Sequence, residues 1–273
     1  MLVVDHPSTS KEEDQKLASI LKRALFAPHA TVWQKAYNDY RAAAGDPWSV
    51  TAATFNPSIR NDQLELYKSR RNGGPLRRIR QMVGLKHCPI CGSPSIGTLD
   101  HYLPKEDFPE FSILPSNLLP ACSLCNSGAK GRTFKGAAAG ERFLHPYYDK
   151  LGAQAVWRIE VVPPFKGATF RAAPEPGLSS GEKAMMRFHL NEALGPAFHT
   201  QAATYWTGLP EDLATVMRDE GADAAEAWTR ELKTSIRTLG LNGWRTALLR
   251  GVIADAAVKD YIEAEAAKLP ANP

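Results

Sequence analysis

A chain of 273 residues, 44% hydrophobic and 23% charged, can bury a sizeable core and has room for one large or two modest domains. No stretch approaches about 18 consecutive apolar residues, and Met1 to Ser10 holds no basic run leading into an apolar one. Neither a membrane span nor a signal peptide is therefore expected, and a cytoplasmic location is the default. The net charge of +4 hides an asymmetry: residues 1–150 carry 20 Lys and Arg against 14 Asp and Glu, whereas residues 151–273 carry 13 against 15.

The first 80 residues read as helices. Leu17, Ile20, Leu21 and Leu25 recur at helical spacing behind candidate caps at Ser8, Thr9 and Ser10; after Pro28, Val32, Trp33, Ala36, Tyr37 and Tyr40 repeat the pattern. Because these aromatic residues fall on the apolar stripe, they are expected in the core and not as a base-stacking platform. A third helix is expected from Asn56-Pro57-Ser58, and Asn72-Gly73-Gly74-Pro75 separates it from a short basic helix over Leu76 to Val83. Lys68, Arg70, Arg71, Arg77, Arg78, Arg80 and Lys86 fill a span without any acid, a pattern that suits a phosphate backbone as well as a solvated helix face.

Directly after this span come Cys88 and Cys91, then Cys122 and Cys125, two Cys-x-x-Cys pairs that use every cysteine of the chain. In a reducing compartment that pattern argues for a metal and against a disulfide framework, and four thiolates converging on one point suit a structural Zn²⁺. Thirty residues separate Cys91 from Cys122, more than the roughly 15–20 of a simple double knuckle, so something is inserted. The insertion opens on a short strand pattern, Ser95 to His101, stopped by Pro104. It runs through a loop to Asn117-Leu118-Leu119-Pro120-Ala121, after which Cys122 to Lys130 can open a short helix. Phe143 to Asp149 forms a compact aromatic segment expected to lie against this region.

Beyond Asp149, Val156–Val162 and Ala168–Arg171 are expected to form a hairpin across Pro163, Pro164 and Gly167. Helices are expected over Glu182–Ala193, Asp212–Asp219, Ala222–Leu239 and Gly243–Ala267, the last with Asn242 as its cap. No repeat, low-complexity tract or Gly-rich phosphate loop is present, so this half offers no legible chemistry. The fold class is α+β, mainly helical, in three regions: 1–84, 85–150 and 151–273.

Leu99-Asp100-His101-Tyr102-Leu103-Pro104, Asn117-Leu118-Leu119-Pro120 and Cys122-Ser123-Leu124-Cys125-Asn126-Ser127-Gly128-Ala129-Lys130 resemble the HNH endonucleases, members of the His-Me finger or ββα-metal nucleases, in their zinc-stapled form. The resemblance covers about residues 85–150. It departs from many members in ending on Asn126 where they carry His, which bears on metal affinity and preference. It implies a ββα-metal finger embedded between the helical N- and C-terminal regions. It further implies that His101 is the general base, that Asp100 and Asn126 hold one Mg²⁺ or Mn²⁺, and that Asn117 pins the loop orienting the imidazole. Cys88, Cys91, Cys122 and Cys125 would hold zinc in a closed shell with no open position for water.

The implied reaction is hydrolysis of DNA to 5′-phosphate and 3′-hydroxyl ends, with RNA the other polynucleotide the same chemistry would serve. Lys130 and Arg132 join the basic span as candidate phosphate contacts. Stand-alone nucleases of this kind resemble restriction or phage-defence effectors. That would give the C-terminal helices a docking role for a sensor or ATPase partner. Against these readings, Asn126 could be only a helix cap; His6, His29, His87, His189 and His199 are expected to be structural or solvated, and His145 to be packing. The competing function is a zinc-stabilised nucleic-acid-binding module without catalysis.

Overall fold

Thr9 starts the first helix: its side chain accepts from the Glu12 amide while the Glu12 carboxylate returns to the Thr9 amide, so two otherwise orphaned N–H groups are satisfied. In the computed structural model, which describes residues 3–70, 74–82, 84–85 and 87–270, α1 spans Ser10–Leu21, α2 Ala30–Ala42, α3 Pro57–Arg70 and α4 Gly74–Arg80. Asn56 begins α3 as expected, its carboxamide oxygen accepting from the Ile59 amide at 2.9 Å. Trp33, Tyr37 and Tyr40 of α2 are buried, as their stripe predicted. Their polar tips reach inward: the Trp33 indole donates to the Glu110 carbonyl (2.8 Å) and the Tyr40 hydroxyl to the Ser116 carbonyl (3.1 Å). The N-terminal helices thereby grip the segment inserted between the cysteine pairs.

That segment is built on two antiparallel strands, β1 Thr98–His101 and β2 Leu118–Ala121, with Asp100 opposite Leu119 and His101 opposite Leu118. A one-turn helix, α5 Ser123–Asn126, follows immediately. Leu76 and Ile79 of α4 form a small apolar cluster with Leu99 and Leu118, which seats the basic helix on the strand pair. Alternation along β1 puts His101 on the same face as Leu99 and Asp100 on the other.

The hairpin lies within three residues of its expected bounds, β3 Trp157–Val162 against β4 Thr169–Pro174. Helix α6 is Ser180–Ala193, α7 Pro196–Asp219, α8 Ala224–Leu239, α9 Trp244–Ala254 and α10 Ala256–Ala266. Helix α7 begins far earlier than expected and carries Pro210 inside it. Gly208-Leu209-Pro210 reads as a breaker, yet Phe198, Ala202, Trp206, Leu209 and Leu213 bury a continuous stripe that offsets its cost. The expected Gly243–Ala267 helix is two helices, because Asp255 leaves helical geometry and its carboxylate caps Ala257 and Val258.

Asn242 is no cap. Fully buried, it accepts from the Val156 amide and donates to the Gly152 and Gln154 carbonyls, tying the hairpin to the last helices. Helix α9 lies on β3 so closely that a Cβ on Gly251 would fall 1.7 Å from the Ile159 carbonyl oxygen. One contiguous apolar core runs from Leu17 to Ala266 through all three sequence regions. Among the described residues no helix is long and apolar enough to cross a membrane.

Candidate functional site

The first Cys-x-x-Cys turn closes because Gly92, at φ 80°, takes a left-handed conformation that a side chain would disfavour. The second sits at the start of α5, where the Cys122 sulfur accepts from the Cys125 amide at 3.3 Å. All four sulfurs are buried and lie within 4.8 Å of one another, with Cys88–Cys125 at 3.9 Å and Cys91–Cys122 at 3.7 Å. A disulfide needs about 2.05 Å between sulfurs, whereas a tetrahedral Zn²⁺ with bonds of about 2.3 Å spaces them about 3.8 Å apart. The four cysteines thus form a cluster that could hold a metal ion such as zinc. Burial opposes ionisation of Cys88, but hydrogen bonds among the four thiols lower Cys88 and Cys122 and, with burial, raise Cys91 and Cys125, so in the absence of a metal the charge is shared unequally over the cluster.

The C-terminal half is docked on this cluster. The Trp244 indole donates to the Cys91 carbonyl at 2.6 Å. The buried His189 places Nε2 2.7 Å from the Ile90 carbonyl and accepts from the Leu144 amide at Nδ1. These contacts join residues far apart in sequence, so no local signal announced them.

His101 is 7% exposed, and its Nε2 lies 2.9 Å from the Ser112 carbonyl oxygen. A carbonyl can only accept, so Nε2 carries the proton and the neutral ring keeps its lone pair on Nδ1. Burial lowers the His101 pKa to about 3, well under the 6.5 expected of a free imidazole. Tyr67 meets the ring edge-on, centroids 4.6 Å apart. Asn117, fully buried, donates to the Leu103 and Phe111 carbonyls at 3.0 and 3.3 Å. It accepts from the Leu103 amide at 2.8 Å and the Tyr40 hydroxyl at 3.2 Å. Its carboxamide ties both ends of the loop between the strands. Ser112 contributes through its backbone, which leaves no trace in side-chain pattern.

Asp100 is buried on the opposite face of β1, where Lys130 Nζ lies 2.9 Å from Oδ2 and donates to the His101 carbonyl at 3.0 Å. This corrects the expectation for Lys130: at 1% exposure it is an internal counter-charge, not a surface phosphate contact. The ammonium approaches Oδ2 off the hydrogen-bonding direction, so that oxygen holds an ion pair but no hydrogen bond among the described residues. Burial pushes the Asp100 carboxyl up, and Lys130 pulls against that rise. Asn126 ends α5, half-buried, at the head of the turn leading to Lys130.

The other basic residues divide. Arg77 and Arg78 are exposed on α4, and Arg80 is half-buried there. Arg70 ends α3, half-buried, and Arg132 is exposed but paired with Asp107 at 2.8 Å. Arg71 and Lys86 lie outside the described residues. His145, as expected, packs: its Nε2 meets the Tyr40 hydroxyl at 3.0 Å and its ring lies 4.1 Å from that of Tyr102.

No protein-family model and no solved structure matches the chain. A stretch of 68 residues, 23% of the chain, is 47% identical to protein ea31 of Escherichia phage lambda, and it covers 21% of that protein. The chain thus spans about a fifth of the length of this curated relative, and the likeness assigns no family to the whole chain.

Proposed function

We propose that the protein is a metal-dependent endonuclease of the HNH type, hydrolysing phosphodiester bonds of DNA, with its ββα finger formed by β1, β2 and α5 and stapled by a structural zinc on the four cysteines. The observation that carries this reading is the held imidazole of His101. Ser112 fixes its tautomer through Nε2, and Asn117 clamps the loop around it.

In the proposed reaction His101 Nδ1 takes a proton from water, the resulting oxygen attacks phosphorus, and the bond to the 3′ oxygen breaks. The 3′ oxygen takes a proton from solvent, leaving 3′-hydroxyl and 5′-phosphate ends. Burial keeps the ring unprotonated at neutral pH but also weakens it as a base, and the incoming phosphodiester anion would restore basicity by favouring the imidazolium. Asp100 and Asn126 offer oxygen donors suited to Mg²⁺ or Mn²⁺, and an ion at Asp100 would take the place that Lys130 holds at Oδ2. Such an ion would stabilise charge on the phosphate and leaving oxygen. Exposed Arg77 and Arg78, on a helix seated upon the catalytic strands, would take the flanking backbone. In a restriction or phage-defence setting, a sensor or ATPase partner would act through the C-terminal helices, whose contacts reach Cys91.

The Lys130–Asp100 pair favours a second reading, a zinc-stabilised nucleic-acid binder, because a built-in ammonium fills the charge requirement that a metal would meet. A plasmid-nicking assay separates the two. Nicking with Mg²⁺ or Mn²⁺ that is lost in His101→Ala supports the nuclease; DNA affinity retained with no cleavage in any divalent metal supports the binder.

A further inference from the structure

A cavity of about 460 Å³ lies among α1, α2, α3 and the start of α4, away from the cysteine cluster. Its volume falls in the range of about 300–1,000 Å³ common to small-molecule sites. Leu17, Ile20, Leu76 and Ile113 give it apolar walls, and Lys16 and Arg70 stand at its edge.

The cations are the informative part. Arg78 stands near Lys16 and Arg23 near Arg70, while Glu12 and Glu13 lie near enough to Lys16 to favour its charged form. Among the described residues none of these four has a carboxylate within ion-pair distance. Arg70 reaches only the Leu66 carbonyl and the Ser69 hydroxyl, both at 3.4 Å. Glu13 also lines the cavity, but its oxygens are engaged by Ser8, Ser116 and Arg41, so it makes no ion pair with Lys16 or Arg70. Lys16 and Arg70, lining one cavity without a directly paired carboxylate, favour an anion, and the apolar walls beside them favour one that carries an unsolvated body.

We propose that this cavity binds a nucleotide unit, with Lys16 and Arg70 taking its phosphate and the apolar walls its base. The site communicates with the candidate catalytic centre through one stretch of chain. Ser112 holds His101, Ile113 and Pro115 line the cavity, and Asn117 clamps the loop. The unit has two sources, a free nucleotide acting as an effector or a nucleotide of the bound polymer. The assignment does not depend on the nuclease reading, because it is tested by binding.

Calorimetric titration of the full-length, zinc-loaded protein with AMP, GMP, CMP and UMP is the test, with adenosine and inorganic phosphate as the separated halves. At least one nucleotide is expected to bind about tenfold or more tightly than either half. Lys16→Glu should weaken it by about tenfold or more, and Ser19→Trp, which fills the cavity from an exposed position on α1, should abolish it. Circular dichroism and melting should be unchanged in at least one variant. Displacement by a short single-stranded oligonucleotide identifies the polymer as the source, and failure to displace identifies a free nucleotide. Absence of binding by all four nucleotides, binding indifferent to both substitutions, or phosphate binding as tightly as the nucleotides overturns the proposal.

Discussion

Lys130 Nζ lies 2.9 Å from Asp100 Oδ2, with both side chains at most 4% exposed, so the ion pair is sealed within the strand–strand–helix unit. Breaking such a pair leaves one charge without solvent or partner, which costs about 3–5 kcal/mol, whereas removing both charges costs far less. Lys130→Met is therefore expected to lose about that much stability in urea denaturation, and Asp100→Asn combined with Lys130→Met to recover most of it. If Asp100 holds a divalent ion, Mg²⁺ will restore part of the loss in Lys130→Met while leaving the wild type nearly unchanged, because the ion then replaces the missing ammonium. A Lys130→Met protein indifferent to Mg²⁺ would remove Asp100 from the proposed catalytic metal site.

Zinc in the cysteine cluster should be decisive for folding. Its apparent binding free energy in Cys-rich sites, about 10–16 kcal/mol, matches or exceeds the whole stability of an ordinary domain. Elemental analysis is expected to find one zinc per chain in the wild type and none in Cys125→Ser. Its Trp244 emission should shift red, because the indole is anchored to the Cys91 carbonyl. Trp244→Phe identifies that component of the emission. One zinc per chain in Cys125→Ser would contradict the assignment.

Stability should fall steeply on acidification. Burial lowers His101 and His145 to about 3 and His189 to about 4, so below about pH 6.5 the unfolded chain binds three protons that the native state refuses. Glu110 acts the other way. Burial raises it from 4.5 to about 7, so its contribution is present at low pH and lost as pH rises through 7. At about 1.4 kcal/mol per unit for each group, three histidines outweigh one carboxyl, leaving a net loss of about 2.8 kcal/mol per unit between pH 6.5 and 4.5. Glu110→Gln should make that acid loss steeper, because it removes the opposing slope that Glu110 supplies between pH 4.5 and 7. Denaturant titrations across this range measure both slopes, and an unchanged slope in Glu110→Gln would refute its assigned titration.

Gly251→Ala should disrupt the seat of α9 on β3. The added methyl would meet backbone, at 1.7 Å from the Ile159 oxygen and 2.8 Å from its carbonyl carbon, and neither can move without parting the hairpin. A cost of roughly 3 kcal/mol or more follows, or a fall of about 6–12 °C in melting temperature. A change within two degrees would mean that the helix is free to slide.

Cysteine spacing, the strand pattern ending at His101 and the helical stripes of Trp33 to Tyr40 were legible because each is a local period or a ligand set declared by residue type. The structure bears out the mainly helical α+β architecture, the close set of four sulfurs and the burial of those aromatics. Lys130 was misread because a basic residue after a short helix looks solvated until the partner that buries it, Asp100, is brought across from the other side of the hairpin. Asn242 and the start of α7 were misread for a related reason. A cap residue and a Gly-Leu-Pro breaker are judged on local preference, which tertiary burial overrode at both places.

The sequence by itself determined which atoms are available: four sulfurs in two turns, an acid and an imidazole at one strand end, and two carboxamides placed to follow them. Only the tertiary structure decided what those atoms meet. It supplies the Ser112 carbonyl that selects the His101 tautomer, the Lys130 ammonium that faces Asp100, and the Trp244 and His189 bonds that brace the cysteine turns. Each is a contact to a backbone carbonyl or a buried charge distant along the chain. Hydrogen-bond geometry and desolvation act on distances in space, which local sequence periodicity does not encode.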